Sequence, residues 1–335
     1  MKQPPLTTQI LRTLIVAALL SVTSLALAKP FPAGIIRLFS TGVAKPANSP
    51  SWFNANLDGM RLRPAWRDVQ TGPETYDWSA IDTILGLGAQ YGKTIGLSVG
   101  AGVNSPQWLY DAGAIKYSLQ DRSDLSMPIP WDPTFQTNWL AFIRTMGARY
   151  DGNPALGYVV ISGLGQNVET YLSKTVADDA ALTAMGGTTA WVAAAEEIIS
   201  TYAEAFPTTP FFITAARPFT PVEAISALQQ VIDWGVATYP GRFGIMNATL
   251  NAHSSTGYYP NLALYTYRGT QPVGLQMLCS SISDPVRLGG TLNLALLQGV
   301  GLGAEFVEVY QNDADSPGNQ TVLAGNGAAL EANLP

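Results

Sequence analysis

The 335-residue sequence has few of the side chains that most often mark a reaction: one cysteine, Cys279, and one histidine, His253. A single cysteine leaves no intrachain disulfide, so the hydrophobic core alone has to hold the fold. Zinc sites built from several thiolates or imidazoles are excluded for the same reason, and no cofactor or metal is expected. Charge is also sparse: 13% of residues are Asp, Glu, Lys or Arg, against about a quarter in an average domain. Asp and Glu number 24 and Lys and Arg 18, a formal net charge of −6. Without the basic stripe that phosphate binding requires, no nucleic-acid partner is expected. No G-x-S-x-G elbow is present for an acyl-transfer nucleophile. Gly163-Leu164-Gly165 lacks the third glycine and the following helix of a dinucleotide-binding turn.

One apolar run does stand out. Lys2 and Arg12 precede the stretch from Leu14 to Leu27, which ends in Ala26-Leu27-Ala28. This is the pattern of a secretory signal with an A-x-A cleavage site. Residues 1–28 are read as the signal peptide and 29–335 as the mature chain, secreted or periplasmic and with no membrane segment after cleavage. A retained N-terminal anchor is the lesser alternative, because the run is short for a membrane span. Loss of Lys2 and Arg12 takes the formal charge from −6 to −8.

The remaining 307 residues, 335 less 28, are long enough for one large α/β barrel or two modest domains, and with no interdomain linker visible one domain is the simpler count. Apolar, β-rich runs fall at Gly34–Phe39, Gly59–Pro64, Thr94–Val99, Tyr158–Ser162, Pro210–Thr214, Arg242–Asn247, Pro272–Leu278 and Ala304–Tyr310. Helical patterns separate many of them, at Trp78–Tyr91, Thr134–Tyr150, Thr188–Phe206, Pro221–Thr238 and Asp284–Gly299. Eight strands with helical crossovers predict a single-domain (β/α)₈ TIM barrel. Segments after the third and fourth strands are long and rich in Gly, Pro, Trp and Tyr, which points to an active face there. The tail from Asp313 to Pro335, with Gly325-Asn326-Gly327, reads as a loop closing over the barrel end.

Several stretches then carry a family resemblance. Gly59-Met-Arg-Leu-Arg-Pro-Ala-Trp66, Gly72-Pro-Glu-Thr-Tyr-Asp-Trp78 and Ser105-Pro-Gln-Trp-Leu109 stand in order ahead of Tyr158–Gly165 and Glu169. Together they resemble secreted TIM-barrel glycoside hydrolases of the clan that includes the family-42 β-galactosidases. The resemblance implies a carbohydrate substrate, tilted toward β-linked oligo- or polysaccharides, and a retaining pair of glutamates after the fourth and seventh strands. In Gln166-Asn167-Val168-Glu169, Glu169 occupies the acid/base position, although Val168 intervenes where the clan has Asn directly before the Glu. In the seventh strand, Val273-Gly274-Leu275-Gln276-Met277, Gln276 stands where the nucleophile is expected. An amide can hydrogen-bond a sugar hydroxyl but cannot attack an anomeric carbon.

Cleaving a glycosidic bond needs one protonated carboxyl and a second carboxylate. Strand alternation on the eighth run puts Phe306, Glu308 and Tyr310 on one face and Val307 and Val309 on the other, which turns Glu308 into the barrel. Glu308 is thus either the second catalytic group, in a wide inverting arrangement, or one half of a buried ion pair with Arg61 or Arg63. Asp68, Glu74, Asp111 and Asp313 rank lower, as turn or solvated residues.

Sugar rings take aromatic faces and planar polar groups. Trp66, Trp108 and Trp131, with Arg63, Asn167, Asn251, His253, Gln276 and Tyr310, are the candidate substrate-binding residues. The reading is a secreted glycoside hydrolase working through Glu169 and Glu308. Its rival is a sugar-binding protein on a hydrolase barrel that no longer cuts.

Overall fold

The computed structural model describes residues 28–39 and 46–335; the signal segment, apart from Ala28, lies outside the described residues. Eight strands close a parallel barrel: β1 Gly34–Leu38, β2 Gly59–Leu62, β3 Thr94–Leu97, β4 Leu156–Val160, β5 Phe211–Thr214, β6 Phe243–Leu250, β7 Val273–Met277 and β8 Phe306–Tyr310. Each hydrogen-bonds its neighbours in chain order, and β8 pairs with β1 from Gly34↔Phe306 to Leu38↔Tyr310. Helices α1 Ser79–Tyr91, α2 Pro133–Tyr150, α3 Gly187–Ala205, α4 Ala224–Thr238, α5 Asn261–Tyr267, α6 Leu292–Gly301 and α7 Gln320–Glu331 follow β2 to β8 in turn. The predicted single-domain TIM barrel is the observed architecture. Among the described residues no helix is long and apolar enough to cross a membrane.

Two hydrophobic cores arise because alternate strand residues face opposite sides. The larger lies between barrel and helices and holds Ile35, Val159, Phe211, Ile245, Leu275 and Val307. The smaller fills the barrel interior with Ile36, Tyr158, Val160, Phe212, Met246 and Phe306. Three of those six side chains are aromatic, and they fit because glycines stand beside them. A Cβ at Gly96 would fall 2.1 Å from the Tyr158 ring, one at Gly244 2.2 Å from Phe212, and one at Gly274 2.2 Å from Phe306. The rings contact one another, Phe212 meeting Phe306 edge to face at 5.3 Å and Tyr158 lying 5.0 Å from Phe306. Small and large residues thus alternate around the bore to fill it.

Two expectations about helices need correction. The tail is not a loop: α7 packs on β1 and β8 through Leu323, Asn326, Gly327 and Leu330. Their three- and four-residue spacing makes one helical face. Gly327 lets that face approach closely, its missing Cβ position being 3.5 Å from Ile35. The helix expected over 284–299 is instead a short turn, Pro285–Leu288, followed by α6. Gly289, at φ 76°, takes the left-handed conformation that ends the first piece.

Candidate functional site

Beyond β4 the chain makes a tight excursion and returns to the barrel rim at Glu169, which forms an isolated parallel bridge with Thr214 at the end of β5. Several bonds hold this loop. The Gln166 N–H donates to the Tyr171 carbonyl at 2.9 Å, and its amide side chain donates to the Leu172 carbonyl at 2.9 Å. The Ser162 hydroxyl donates to the Asn167 carbonyl at 3.2 Å, and the Thr170 N–H donates to the Thr214 carbonyl at 3.2 Å. Gly102, at φ 62°, lies against this loop where a Cβ would fall 2.2 Å from the Gln166 carbonyl oxygen. The loop after β3 therefore packs backbone to backbone against the loop that carries Glu169.

Between those loops is a cavity of about 140 Å³ lined by Arg63, Ser98, Asn104, Asn167 and Glu169. Glu169 is half-buried. Burial raises its pKa above the ordinary carboxylate value, and the positive charges of Arg61, Arg63 and Lys174 and a hydrogen bond with Tyr171 oppose the rise without cancelling it. The Arg63 side chain donates through Nε to the Phe39 carbonyl at 2.9 Å. Its own pKa is lowered, by burial first and by the Arg61 charge second, while Glu308, Tyr310 and Glu169 pull the other way. Tyr310 belongs to the same group of side chains: its hydroxyl pKa is raised by burial and by Glu169 and lowered by Arg63. Asn104 donates to the Asn167 side-chain oxygen at 3.2 Å. A carboxyl whose pKa burial raises, a guanidinium and two amides can give and receive hydrogen bonds around a sugar hydroxyl or a glycosidic oxygen.

Glu308 faces inward, yet it lies below this cavity with no exposed surface. One of its oxygens takes the Arg61 guanidinium at 2.6 Å and the other takes the Tyr158 hydroxyl at 2.8 Å. Arg61, also fully buried, donates in addition to the Ser98 hydroxyl at 3.2 Å. Register explains the cluster. Arg61, Gly96 and Tyr158 stand side by side on β2, β3 and β4, and the missing side chain at Gly96 gives the Tyr158 ring its place in the bore. Of the two readings open for Glu308, the geometry is that of the buried ion pair, with Arg61 as its partner. Gln276 is paired in register with Glu308 on the neighbouring strand and is 6% exposed.

Other candidate residues lie apart from the cavity. Trp66 is sealed in the outer core, its ring 4.8 Å from Trp139 and 6.1 Å from Phe135 and its indole N–H donating to Gln70 at 2.8 Å. As a fully buried side chain it offers no face to a sugar, which corrects the sequence reading. Trp108 and Trp131 are half-buried against that core and spend their indole N–H groups on the carbonyls of Gln70 and Met185, at 3.0 and 2.7 Å. Asn251 accepts the His253 N–H at 2.8 Å in a local turn, and the exposed His253 ring packs over Gly289. Asp313 is likewise structural, accepting the Ser281 N–H at 3.0 Å.

A second and larger cavity, about 640 Å³, opens across the same barrel face over the ends of β5 and β6. Its walls include Lys174, Arg217, Thr220, Asn247, Thr249 and Tyr258. Glu169 is the one carboxylate among the residues that line the two cavities. Among the described residues no cluster of three His, Cys, Asp or Glu side chains could hold a metal ion. Asn104, Tyr171, Lys174 and Arg217 escaped the sequence reading. Tyr171, Lys174 and Arg217 stand in irregular loops and Asn104 ends the short 3-10 turn Gly102–Asn104, so no period reports which way their side chains point.

No family model matches the chain, and no curated protein matches it in sequence. Solved structures do resemble it. The β-galactosidase from Rahnella sp. R3 superposes with a TM-score of 0.57 at 13% identity, over 91% of this chain and 57% of that one. The β-galactosidase from the psychrophilic Marinomonas ef1 gives 0.56 at 11% identity, over 90% and 61%. Xylanase A of P. fluorescens subsp. cellulosa, in a mutant form complexed with xylopentaose, gives 0.50 at 13% identity, over 91% and 98%. This chain thus spans 57% and 61% of the two β-galactosidases. Likeness at such identity establishes a shared fold, the TIM barrel of glycoside hydrolases, and leaves function to the site.

Proposed function

We propose that this chain is an exported carbohydrate-binding protein built on a glycosidase barrel, with the sugar seated at the barrel mouth against Glu169. One observation carries the reading: among the described residues that line the two cavities at the mouth, Glu169 is the single carboxylate. Glu308 has both oxygens bound by Arg61 and Tyr158 in a sealed interior, and Gln276 occupies the seventh-strand position. Neither retention nor inversion of a glycosidic bond proceeds by the usual route without a second carboxylate near the first. Glu169 instead acts as a hydrogen-bonding carboxyl, with Arg63 and Asn167 as further partners for sugar hydroxyls.

Glycoside hydrolysis is the second reading, favoured by the raised pKa of Glu169 at the barrel rim, as a general acid requires. The two separate in one experiment. A panel of β-linked glycans is screened by calorimetry for binding and by reducing-end release for turnover, with the parent and with Glu169→Gln. The proposal expects binding without release, and an affinity about tenfold weaker in the variant, the value of one charge-assisted or neutral hydrogen bond. Release by the parent that vanishes in Glu169→Gln would establish hydrolysis instead.

A further inference from the structure

The larger cavity differs in charge from the chain that contains it. Acids outnumber bases, 24 to 18, yet the walls of this cavity carry Lys174 and Arg217 and no carboxylate. We propose that this cavity binds an anionic sugar residue, its carboxylate or sulfate group held by Lys174 and Arg217.

The two cations come from different loops, after β4 and after β5, and face one volume of about 640 Å³, within the range of small-ligand sites. Neither forms a salt bridge within the described residues. Arg217 stands within electrostatic reach of Asp179. That carboxylate is already taken by the hydroxyls of Ser173 and Thr220 and by the Thr220 N–H at 3.0 Å. Asp179 thus fixes the loop while the guanidinium fork stays available, and such a fork matches a planar carboxylate or two sulfate oxygens. Lys174 lies 4.7 Å over the Tyr171 ring and acts on Glu169 through its charge, so the cationic end of the cavity adjoins the acid. For the rest of a sugar the walls offer the Thr249 hydroxyl and the ring of Tyr258, 61% exposed. An exposed ring of this kind is a platform for the apolar face of a pyranose.

The inference deepens the sugar-binding reading and rests on it, and the test separates the two. Calorimetry would compare a β-linked hexauronate, the neutral hexasaccharide obtained by reducing its carboxyls, and the same neutral chain carrying sulfate esters. Against these the parent would be compared with the double variant Lys174→Met, Arg217→Met and with the charge-preserving Lys174→Arg, Arg217→Lys. Both cations are exposed, and thermal melts would check that each variant folds.

The parent is expected to bind the uronate or the sulfated chain at least about tenfold tighter than the neutral one, one charge-assisted contact's worth. That preference should shrink with added salt, disappear in the double Met variant and survive in the charge-preserving one. Which of the two charged chains is preferred identifies the anionic group. Equal affinity for charged and neutral chains, or a preference that persists in the double Met variant, overturns the anionic site and leaves the sugar-binding reading intact. Binding of none of the three also overturns it, while the wider glycan panel decides the sugar reading separately.

Discussion

Replacing Glu308 by Gln keeps the shape of the side chain and removes the charge that Arg61 is paired with. In the parent the pair is 2.6 Å apart with neither side chain exposed, so no water replaces the lost partner. Arg61 already has one terminal nitrogen without a hydrogen-bond partner, and the variant would leave its whole charge uncompensated in the bore. Removing one member of such a pair costs about 3–5 kcal/mol. At about 2–4 °C per kcal/mol for a large domain, the melting temperature should fall by roughly 6–20 °C. Removing both charges is a different perturbation, because no unpaired charge remains: Arg61→Met, Glu308→Leu should recover part of the loss, the rest being the buried Tyr158 hydroxyl that loses its acceptor. Urea melts of the parent, Arg61→Met, Glu308→Leu and the double variant complete the cycle. A Glu308→Gln protein within about 1 kcal/mol of the parent, or singles that simply add in the double, would refute the view of Glu308 as half of a structural pair.

Two more perturbations test the interior and its surroundings. Gly96→Ala puts a methyl 2.1 Å from the Tyr158 ring; it should cost about 3 kcal/mol through overpacking and the weakened Tyr158–Glu308 bond, read in the same urea melts. Glu305, 1% exposed just before β8, has its pKa pushed up to about 8 by burial, against a bond from the Val273 N–H at 3.1 Å. Its unfolded pKa is about 4.3, so the folded state holds the proton more tightly. The contribution to stability is therefore full below about pH 4.3 and is lost as pH rises toward 8. The advantage of Glu305→Gln over the parent should grow between about pH 5 and pH 8, and a parent-minus-variant difference flat across that range would contradict the assignment.

Much of the barrel was legible because periodicity and burial leave a trace in sequence. The eight apolar runs became the eight strands, and alternation over Phe306–Tyr310 gave Glu308 its inward direction. What alternation could not supply was depth and company. Whether an inward glutamate meets ligand or arginine depends on the stagger that sets Arg61 and Tyr158 opposite it, and that follows from barrel closure. Trp66 was misplaced for a similar reason: the rings that bury it, Trp139 and Phe142, arrive on α2 some seventy residues later. The tail helix was hidden by Gly325 and Gly327, residues that usually mark turns. Here Gly327 serves close packing on Ile35. Lys174 and Arg217 gave no local signal at all, since their meeting depends on two loops that join different strands.

The central claim is that the mouth at Glu169 holds sugar without cutting it. The most direct measurement is mass spectrometry of a bound β-linked oligosaccharide after prolonged incubation with saturating protein across acidic to neutral pH. The account predicts that the ligand is recovered at its original length. Shortened products from the parent, absent with Glu169→Gln, would contradict it and mean that a second group completes the reaction.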